Sequence, residues 1–165
     1  NALLKTSKHQ KQINYLNEYL DLNNALIYQY RSKYIAEIEA LINNHLNPLV
    51  EDLAISLKYR PGWDTKLRLL EQLKLQQDRD LTQGFTHYGI HRDDIKLYTD
   101  ELPVDQALSR GQMKRLSIGL ILAQILLLKK YSDKAIILLI DDINAELDTR
   151  SIESILDIVA DMGLQ

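Results

Sequence analysis

Two short stretches of this sequence combine residue types that can bind phosphate and a divalent cation. The first is Leu108–Gln112, where Ser109 and Gly111 stand just before a long apolar-rich stretch. A helix N-terminus presents unpaired backbone N–H groups, a glycine lets phosphate approach them, and a serine adds a hydroxyl donor. Arg110 adds a positive charge beside them. The same five residues would also suit the capped first turn of a core helix, because such short matches recur by chance.

The second stretch joins the apolar residues 136–140 to Asp141 and Asp142. A continuously apolar, β-branched run predicts a strand inside a parallel sheet, and ligands of open α/β sheets bind beyond the carboxyl ends of the strands. One carboxylate there can hold Mg²⁺ against nucleotide phosphates, and its neighbour can orient or deprotonate a water. The alternative is that the two aspartates only end the strand and begin a turn.

The elements that must position these stretches follow from local sequence patterns. Ser109 is the predicted N-cap of a helix that runs from about Gly111 to Lys130. Asp148 is predicted to begin a last helix, which Gly163 ends. Apolar and polar residues alternate over 55–59 and 95–98, and this pattern predicts two half-buried strands.

Helical spacing of apolar residues over 8–46 predicts α-helix, and Pro48 ends it. Asn and Asp residues at 21–24 predict a break between two helices, because their side chains compete for backbone hydrogen bonds. The N-terminal third is therefore predicted to be a compact helical hairpin. Five tyrosines are predicted to pack this hairpin, with base stacking as the alternative: Tyr15, Tyr19, Tyr28, Tyr30 and Tyr34.

Composition limits the classes of protein to consider. The 165 residues include no cysteine, which excludes disulfides and thiolate metal sites and fits a reducing cytoplasm. The longest apolar run, 118–128, is well short of the roughly 20 residues that cross a bilayer, so no membrane partner is predicted. The net charge of −3 gives no global attraction to nucleic acid, so DNA contacts must come from a local patch.

Taken in order, these stretches resemble motifs of the ABC-type ATPase superfamily. Leu108–Gln112 is similar to its Leu-Ser-Gly-Gly-Gln signature, 136–142 to a Walker B strand, and 144–148 to a D-loop. Within the superfamily the chain resembles the RecF family of bacterial recombinational repair proteins. That family carries Leu-Ser-Arg-Gly-Gln, an Asp-Asp pair followed by Glu-Leu-Asp, and an upstream Gly-Pro-His-Arg motif. Gly89–Arg92 stands at the upstream place, with Ile90 where the family has proline.

The resemblance implies an α/β fold, namely an ABC-type ATPase head lobe with a signature helix and a Walker B strand. A helical arm of residues 1–53 would precede the α/β lobe of residues 54–165. The chain contains no Gly-x-x-x-x-Gly-Lys-[Ser/Thr] phosphate loop, so the P-loop NTPase fold would be incomplete. The start at Asn1, with neither an initiator methionine nor a signal peptide, predicts that the chain belongs to a longer protein.

The resemblance also implies roles for individual residues, and two ligands, ATP and Mg²⁺. The signature residues would contact the γ-phosphate of ATP held by the opposite protomer of a homodimer. The acidic residues would serve the metal, the attacking water and the dimer interface. The residues with these implied roles are Ser109, Arg110, Gly111 and Gln112 for the phosphate, Asp141 for Mg²⁺, Asp142 for catalysis and Asp148 for the interface. His91 and Arg92 are predicted to be a structural pair, with ligand contact as the alternative.

The implied function is that of a slow, cytoplasmic ATPase of DNA replication, recombination and repair in the SOS response. It would dimerise with ATP on double-stranded or gapped DNA and help RecR- and RecO-type mediators to load RecA. The chain by itself is predicted to bind ATP poorly and not to hydrolyse it. The alternative is a non-catalytic module that binds DNA or a mediator. An SMC-like head is disfavoured, because those heads carry long coiled coils where this chain has a short helical stretch.

Overall fold

The computed structural model describes residues 10–50, 53–132, 134–141, 143 and 147–163. Its helices and strands are, in chain order, α1 (Gln10–His45), β1 (Ile55–Arg60), α2 (Leu69–Leu75), α3 (Gln77–Gln83), β2 (Asp94–Thr99), β3 (Leu102–Pro103), α4 (Val104–Ala107), α5 (Arg110–Tyr131) and α6 (Thr149–Asp161). Short 3₁₀ helices lie at Asn47–Val50 and Ile90–Arg92. The two strands predicted from alternation and the two helices predicted after Ser109 and Asp148 are confirmed.

The chain forms two compact units, each built from two segments. The first contains Asn1–Tyr34 and Lys58–Lys96, and the second contains Ile35–Leu57 and Leu97–Gln165. These two units are defined only by how closely their residues lie in space. The division into an arm of residues 1–53 and a lobe of residues 54–165 stays a prediction.

The predicted hairpin is wrong, because α1 is one continuous helix of 36 residues. The amide groups of Asn23 and Asn24 donate to the carbonyl oxygens of Tyr19 and Leu20 at 2.7 and 2.6 Å. These bonds run back one helical turn, so the side chains satisfy the helix backbone instead of replacing its hydrogen bonds. Asn24 Oδ1 also accepts from the Ile90 backbone N–H at 2.5 Å, a long-range bond that local sequence could not reveal.

Aromatic rings and the Arg31–Asp93 ion pair connect α1 to the rest of the first unit. The Tyr28 ring stacks on Tyr59 and meets Trp63 edge-on, with ring centroids 5.7 Å apart in both pairs. Asp93 accepts hydrogen bonds from Arg31 and, at 2.7 Å, from the Tyr59 hydroxyl. Burial and the hydrogen bond to the Asp93 carboxylate together raise the pKa of Tyr59 to about 12. The prediction that Tyr28 packs within the fold is therefore confirmed.

The other four tyrosines of α1 do not pack as predicted. Tyr15 is 68% exposed and Tyr30 is 67% exposed, and Tyr19 and Tyr34 are also exposed. Since α1 has no second helix of a hairpin beside it, no partner covers that face among the described residues. Packing was thus the wrong interpretation for these four side chains.

The three strands form one sheet in the order β1-β2-β3. Strands β2 and β3 are antiparallel, with Thr99 opposite Leu102. The two residues between them, Asp100 and Glu101, both have positive φ, as two-residue hairpin turns require. The sheet is small because β3 has only two residues.

One side of α5 packs into the core of the second unit. Leu116, Leu122, Ala123 and Leu127 on this helix are buried within one apolar cluster, which also contains Leu49 and other residues of that unit. By length and composition alone, Arg110–Tyr131 would also be long and apolar enough to cross a membrane. The core residues on its buried side account for part of this composition, while only 28% of the apolar stretch is buried.

The predicted Walker B strand, residues 136–140, has no strand assignment in the described part of the chain. Leu138 packs against the core cluster, whereas its neighbours Ile137 and Leu139 are 71% and 88% exposed. This alternation is typical of extended backbone with one covered face. A strand is defined by its ladder of hydrogen bonds, and the three-stranded sheet does not include this segment. Among the described residues this segment has no sheet neighbour, so the predicted strand is not observed there.

Candidate functional site

The N-terminus of α5 carries four of the predicted site residues. Ser109 is the N-cap: its Oγ accepts from the Gln112 backbone N–H at 3.3 Å, and Gln112 Oε1 accepts from the Ser109 N–H at 2.9 Å. This reciprocal pair is a capping box. It uses two of the backbone N–H groups at the helix start and fixes the direction in which the chain enters the helix.

Space beside this terminus suits a phosphate group. A Cβ added at Gly111 would meet no heavy atom within 4 Å, so the backbone there is open to an approaching group. Ser109, Arg110 and Gly111 are all exposed. The helix has 22 residues, and its N-terminus carries a partial positive charge. Open backbone, a hydroxyl and a guanidinium thus lie together in a region that favours anions.

The predicted metal ligand Asp141 is described and lies on the exposed surface, directly after the extended segment 136–140. Asp142 and residues 144–146 lie outside the described residues. Within the described ranges, no cluster of three His, Asp or Glu residues could hold a metal ion by itself. A single carboxylate can bind Mg²⁺ when nucleotide phosphates and waters supply the remaining ligands, so the assignment of Asp141 to Mg²⁺ stays a prediction.

Asp148, the predicted interface residue, is the N-cap of α6. Its carboxylate accepts from the Ser151 backbone N–H at 2.7 Å. The pKa of Asp148 is lowered from 3.8, first by this backbone hydrogen bond, then by one from the Ser151 hydroxyl, and further by the charges of Arg115 and Arg150. The end of the predicted D-loop is therefore an ionised helix cap.

Two residues around Asp148 were missed by the sequence reasoning. Arg115 Nη1 donates to Ser151 Oγ at 3.0 Å, which joins α5 to the first turn of α6. A cavity of about 580 Å³ lies at this junction. It is lined by Pro48, Leu49, Arg115, Asp148, Arg150, Ser151 and Ser154. Arg115 follows Gly111 by four residues, a spacing that could have placed both on one helix face.

The lowered pKa of Asp148 predicts how α6 responds to acid. The folded chain favours the carboxylate, so its stabilising effect is present above pH 3.8 and is lost as pH falls through the lower folded pKa. Replacement of Asp148 by alanine should lower the urea midpoint near neutral pH, and this difference should shrink in acid. Replacement by asparagine, which caps without a charge, should show no such pH dependence. An alanine effect of equal size at pH 7 and pH 3 would contradict this origin.

Gly89–Arg92 is held by contacts within the first unit. The Gly89 N–H donates to the Gly62 carbonyl oxygen at 3.1 Å. His91 Nε2 lies 3.0 Å from the Thr86 carbonyl oxygen, and the Arg92 guanidinium lies 5.7 Å from the Phe85 ring centroid. These contacts favour the structural interpretation of His91 and Arg92 over ligand contact.

Sequence comparison finds relatives over the whole chain, although no protein-family model matches it. The chain is 33% identical over 165 residues to the DNA replication and repair protein RecF of Shewanella loihica. It is 34% identical over 167 residues to the protein of the same name from Acinetobacter baumannii. The alignments cover 100% of this chain and 46% of each relative. The chain therefore spans about half the length of the RecF proteins it matches.

Structural comparison gives the same match at the level of the fold. A structure described as the recombination mediator protein RecF-ATP in the RecFOR pathway superposes with a TM-score of 0.80 over 95% of this chain, at 20% identity. A RecF-ATPrS structure from the same pathway gives a TM-score of 0.81 at 21% identity. The chain covers 44% and 46% of these two structures. The predicted partial ABC-type ATPase fold is thereby confirmed.

Sequence comparison and structural comparison thus both find RecF proteins. The matches to RecF cover 100% of the chain in sequence and 95% of it in fold. The chain is similar over its whole length to RecF proteins, and it covers about half of their length.

Proposed function

We propose that this chain supplies half of each composite ATP site in a RecF-like recombinational repair ATPase. The complete sites would form in a homodimer of the RecF-length protein, meaning the protein that contains this chain together with the remaining length found in its relatives. In that dimer, Ser109, Arg110, Gly111 and Gln112 contact the γ-phosphate of ATP bound by the opposite protomer. Asp141 serves Mg²⁺ and Asp142 the attacking water, while Asp148 crosses the dimer interface.

The observation that carries this proposal is the open, capped N-terminus of α5. Ser109 keeps its exposed hydroxyl while its Oγ caps the helix, and Gly111 leaves the backbone uncovered. A core-helix cap accounts for the capping box. It does not account for a glycine with open space beside it and an exposed arginine next to it. A phosphate ligand accounts for all three features.

The bound ATP and Mg²⁺ would supply the phosphoryl group and the charge neutralisation that phosphoryl transfer needs. This chain contributes the residues that hold one side of them. Asp142 stands where the ABC superfamily has a glutamate and is shorter by one methylene. We therefore expect water to be placed less favourably and hydrolysis to be slow, as suits a timing switch.

The biological setting belongs to the same proposal. Relatives of this chain are named DNA replication and repair proteins, and a similar structure is described as a recombination mediator of the RecFOR pathway. By extension, the RecF-length protein dimerises with ATP on double-stranded or gapped DNA in the cytoplasm. There it helps RecR- and RecO-type mediators to load RecA during the SOS response.

The alternative, a non-catalytic interaction module, is supported by a different surface. Five exposed apolar side chains recur on α1 at spacings of three and four, which places them on one helix face. They are Tyr15, Tyr19, Leu22, Leu26 and Tyr30. The buried residues Ile13, Asn17 and Asn24 lie on the opposite side of the helix. A face of this kind can bind a partner helix without any nucleotide.

A negative charge introduced at the N-terminus of α5 tests the proposed function. In the RecF-length protein, Ser109→Glu places a negative charge where the γ-phosphate should lie. The glutamate suits the helix dipole but removes the Ser109 cap, so the chain should lose about 0.5–2 kcal/mol of stability, which urea unfolding measures separately from dimerisation. We expect the dimer Kd at saturating ATP to rise roughly 10- to 100-fold, as loss of one or two charged hydrogen bonds implies.

The matched control is Ser117→Glu, which places the same charge on an exposed position two turns later in α5. Sedimentation velocity with ATP and without nucleotide should show a near wild-type dimer for this control. A Ser109→Glu protein that dimerises as well as the control would contradict the proposed γ-phosphate contact. DNA binding that is independent of ATP in every variant would favour the interaction-module alternative.

A further inference from the structure

The junction between α5 and α6 contains a bridge that none of the predicted site roles uses. Arg115 Nη1 donates to Ser151 Oγ at 3.0 Å, and the Ser151 N–H donates to Asp148 Oδ1 at 2.7 Å. The Ser151 side chain also contributes to the lowered pKa of the Asp148 carboxylate. Ser151 thus accepts from Arg115 through its Oγ and donates to Asp148 through its backbone N–H, so one residue joins α5 to the cap of α6.

The bridge lies near two helix starts that both have proposed roles. Arg115 lies one turn after Gly111 on α5, so the two residues share a helix face. Asp148 and Ser151 form the capped first turn of α6. The bridge therefore connects the terminus assigned to the γ-phosphate with the residue assigned to the dimer interface.

The Arg115–Ser151 part of the bridge is shielded from water, whereas the Asp148 carboxylate is exposed. Ser151 is only 6% exposed, and Arg115 is partly buried. Surface ion pairs contribute little because water competes and long side chains lose entropy. Here the guanidinium bonds a hydroxyl that is shielded from solvent, and its charge also favours the carboxylate of Asp148. A displacement of one helix start would break hydrogen bonds at the other.

We infer that Arg115 is a positioning residue that holds the Asp148 end of α6 in register with the signature terminus of α5 through Ser151. Contact of the α5 terminus with the γ-phosphate and contact of Asp148 across the dimer interface then occur together. The expected effect on dimerisation rests on the proposed function, whereas the positioning of Asp148 rests on the hydrogen bonds of the bridge. Arg115 touches neither ATP nor the partner in this account.

The effect of the bridge on dimerisation is measured in the RecF-length protein. Arg115→Ala and Ser151→Ala should each raise the dimer Kd at saturating ATP about tenfold, the effect of losing one hydrogen bond to a charged group. ATP affinity of the monomer should stay unchanged, because neither residue touches nucleotide. Arg115→Lys keeps one donor and should recover part of the lost affinity. The matched control Arg150→Ala removes a nearby charge without breaking the bridge, and its dimer Kd should stay near wild type.

A spectroscopic arm in the 165-residue chain separates this inference from the proposed function. The carboxyl carbon of Asp148, followed by NMR through an acid titration, should titrate at higher pH in both Arg115→Ala and Ser151→Ala. An unchanged titration in either variant overturns the inference, even if the wild-type protein dimerises with ATP. A wild-type protein that ignores ATP overturns the proposed function, and the titration still decides whether the bridge positions Asp148.

Discussion

Replacement of Gly111 by alanine should stabilise the chain and weaken the ATP-dependent dimer. Alanine removes the excess backbone freedom of glycine in a helix, so stability should rise by about 0.5 kcal/mol. Nothing obstructs the new methyl group, since no heavy atom lies within 4 Å of its position. The same methyl group occupies the space through which a phosphate approaches the backbone. We expect the loss of roughly one charged hydrogen bond, about 1.5–3 kcal/mol of dimer stability.

The opposite signs of these two effects make the prediction specific. Urea unfolding of the 165-residue chain measures the gain, and sedimentation of the RecF-length protein at saturating ATP measures the loss. Gly119→Ala is the matched control, because it lies in the interior of the same helix and its new Cβ would sit 3.8 Å from Leu49 Cδ1. The control should stabilise the chain without weakening the dimer. If Gly111→Ala behaved like the control in both measurements, Gly111 would be only a helix residue.

Replacement of Gly62 by alanine should strongly destabilise the first unit. An added Cβ would overlap the Gly89 carbonyl oxygen and lie 2.5 Å from Arg92 Cβ and 2.7 Å from the Arg92 carbonyl carbon. These are mostly backbone-anchored atoms, so relief requires the turn around Gly62 and the 3₁₀ helix at Ile90–Arg92 to separate. Overpacking of this kind costs on the order of 1–3 kcal/mol or more.

Trp63 provides the measurement, because it is the only tryptophan in the chain and it contacts Tyr28 beside the altered turn. Urea unfolding followed by tryptophan fluorescence should show a midpoint well below wild type for Gly62→Ala. The same substitution at Gly119 should not lower the midpoint. Equal midpoints for the two variants would show that the Gly62 turn accommodates a side chain. The close contact of Gly62 with Gly89 and Arg92 would then not require glycine.

Local chemistry was predictable wherever a short segment determines its own structure. Ser109 was predicted as a helix cap and Asp148 as a helix start, and both are N-caps in the structure, because a cap depends on a side chain and an N–H group three residues away. The strands at 55–60 and 94–99 likewise follow from alternation of apolar and polar residues. The candidate phosphate site could be located for the same reason, since it lies within one helix turn.

Features that depend on distant partners could not be predicted in this way. Asn24 favoured a helix break by its local preference, but its hydrogen bond to Ile90 joins residues 66 positions apart and suits an unbroken helix. The apolar run at 136–140 has the composition of a buried strand, yet strand structure needs a neighbouring strand as well as composition. The Arg115–Ser151 bridge spans 36 positions, so no local motif indicated it.

Mixing two inactive variants of the RecF-length protein tests most directly whether each ATP site is shared between protomers. Ser109→Glu disables the signature side, and Asp142→Asn disables the acidic side. In a mixed dimer, one site combines an intact signature with an intact Asp142. Mixing should therefore restore ATP hydrolysis that neither variant shows alone, to roughly a quarter of the wild-type rate if dimers form at random. Mixed samples that stay as inactive as the separate variants would show that the two motifs do not complete an ATP site across a dimer.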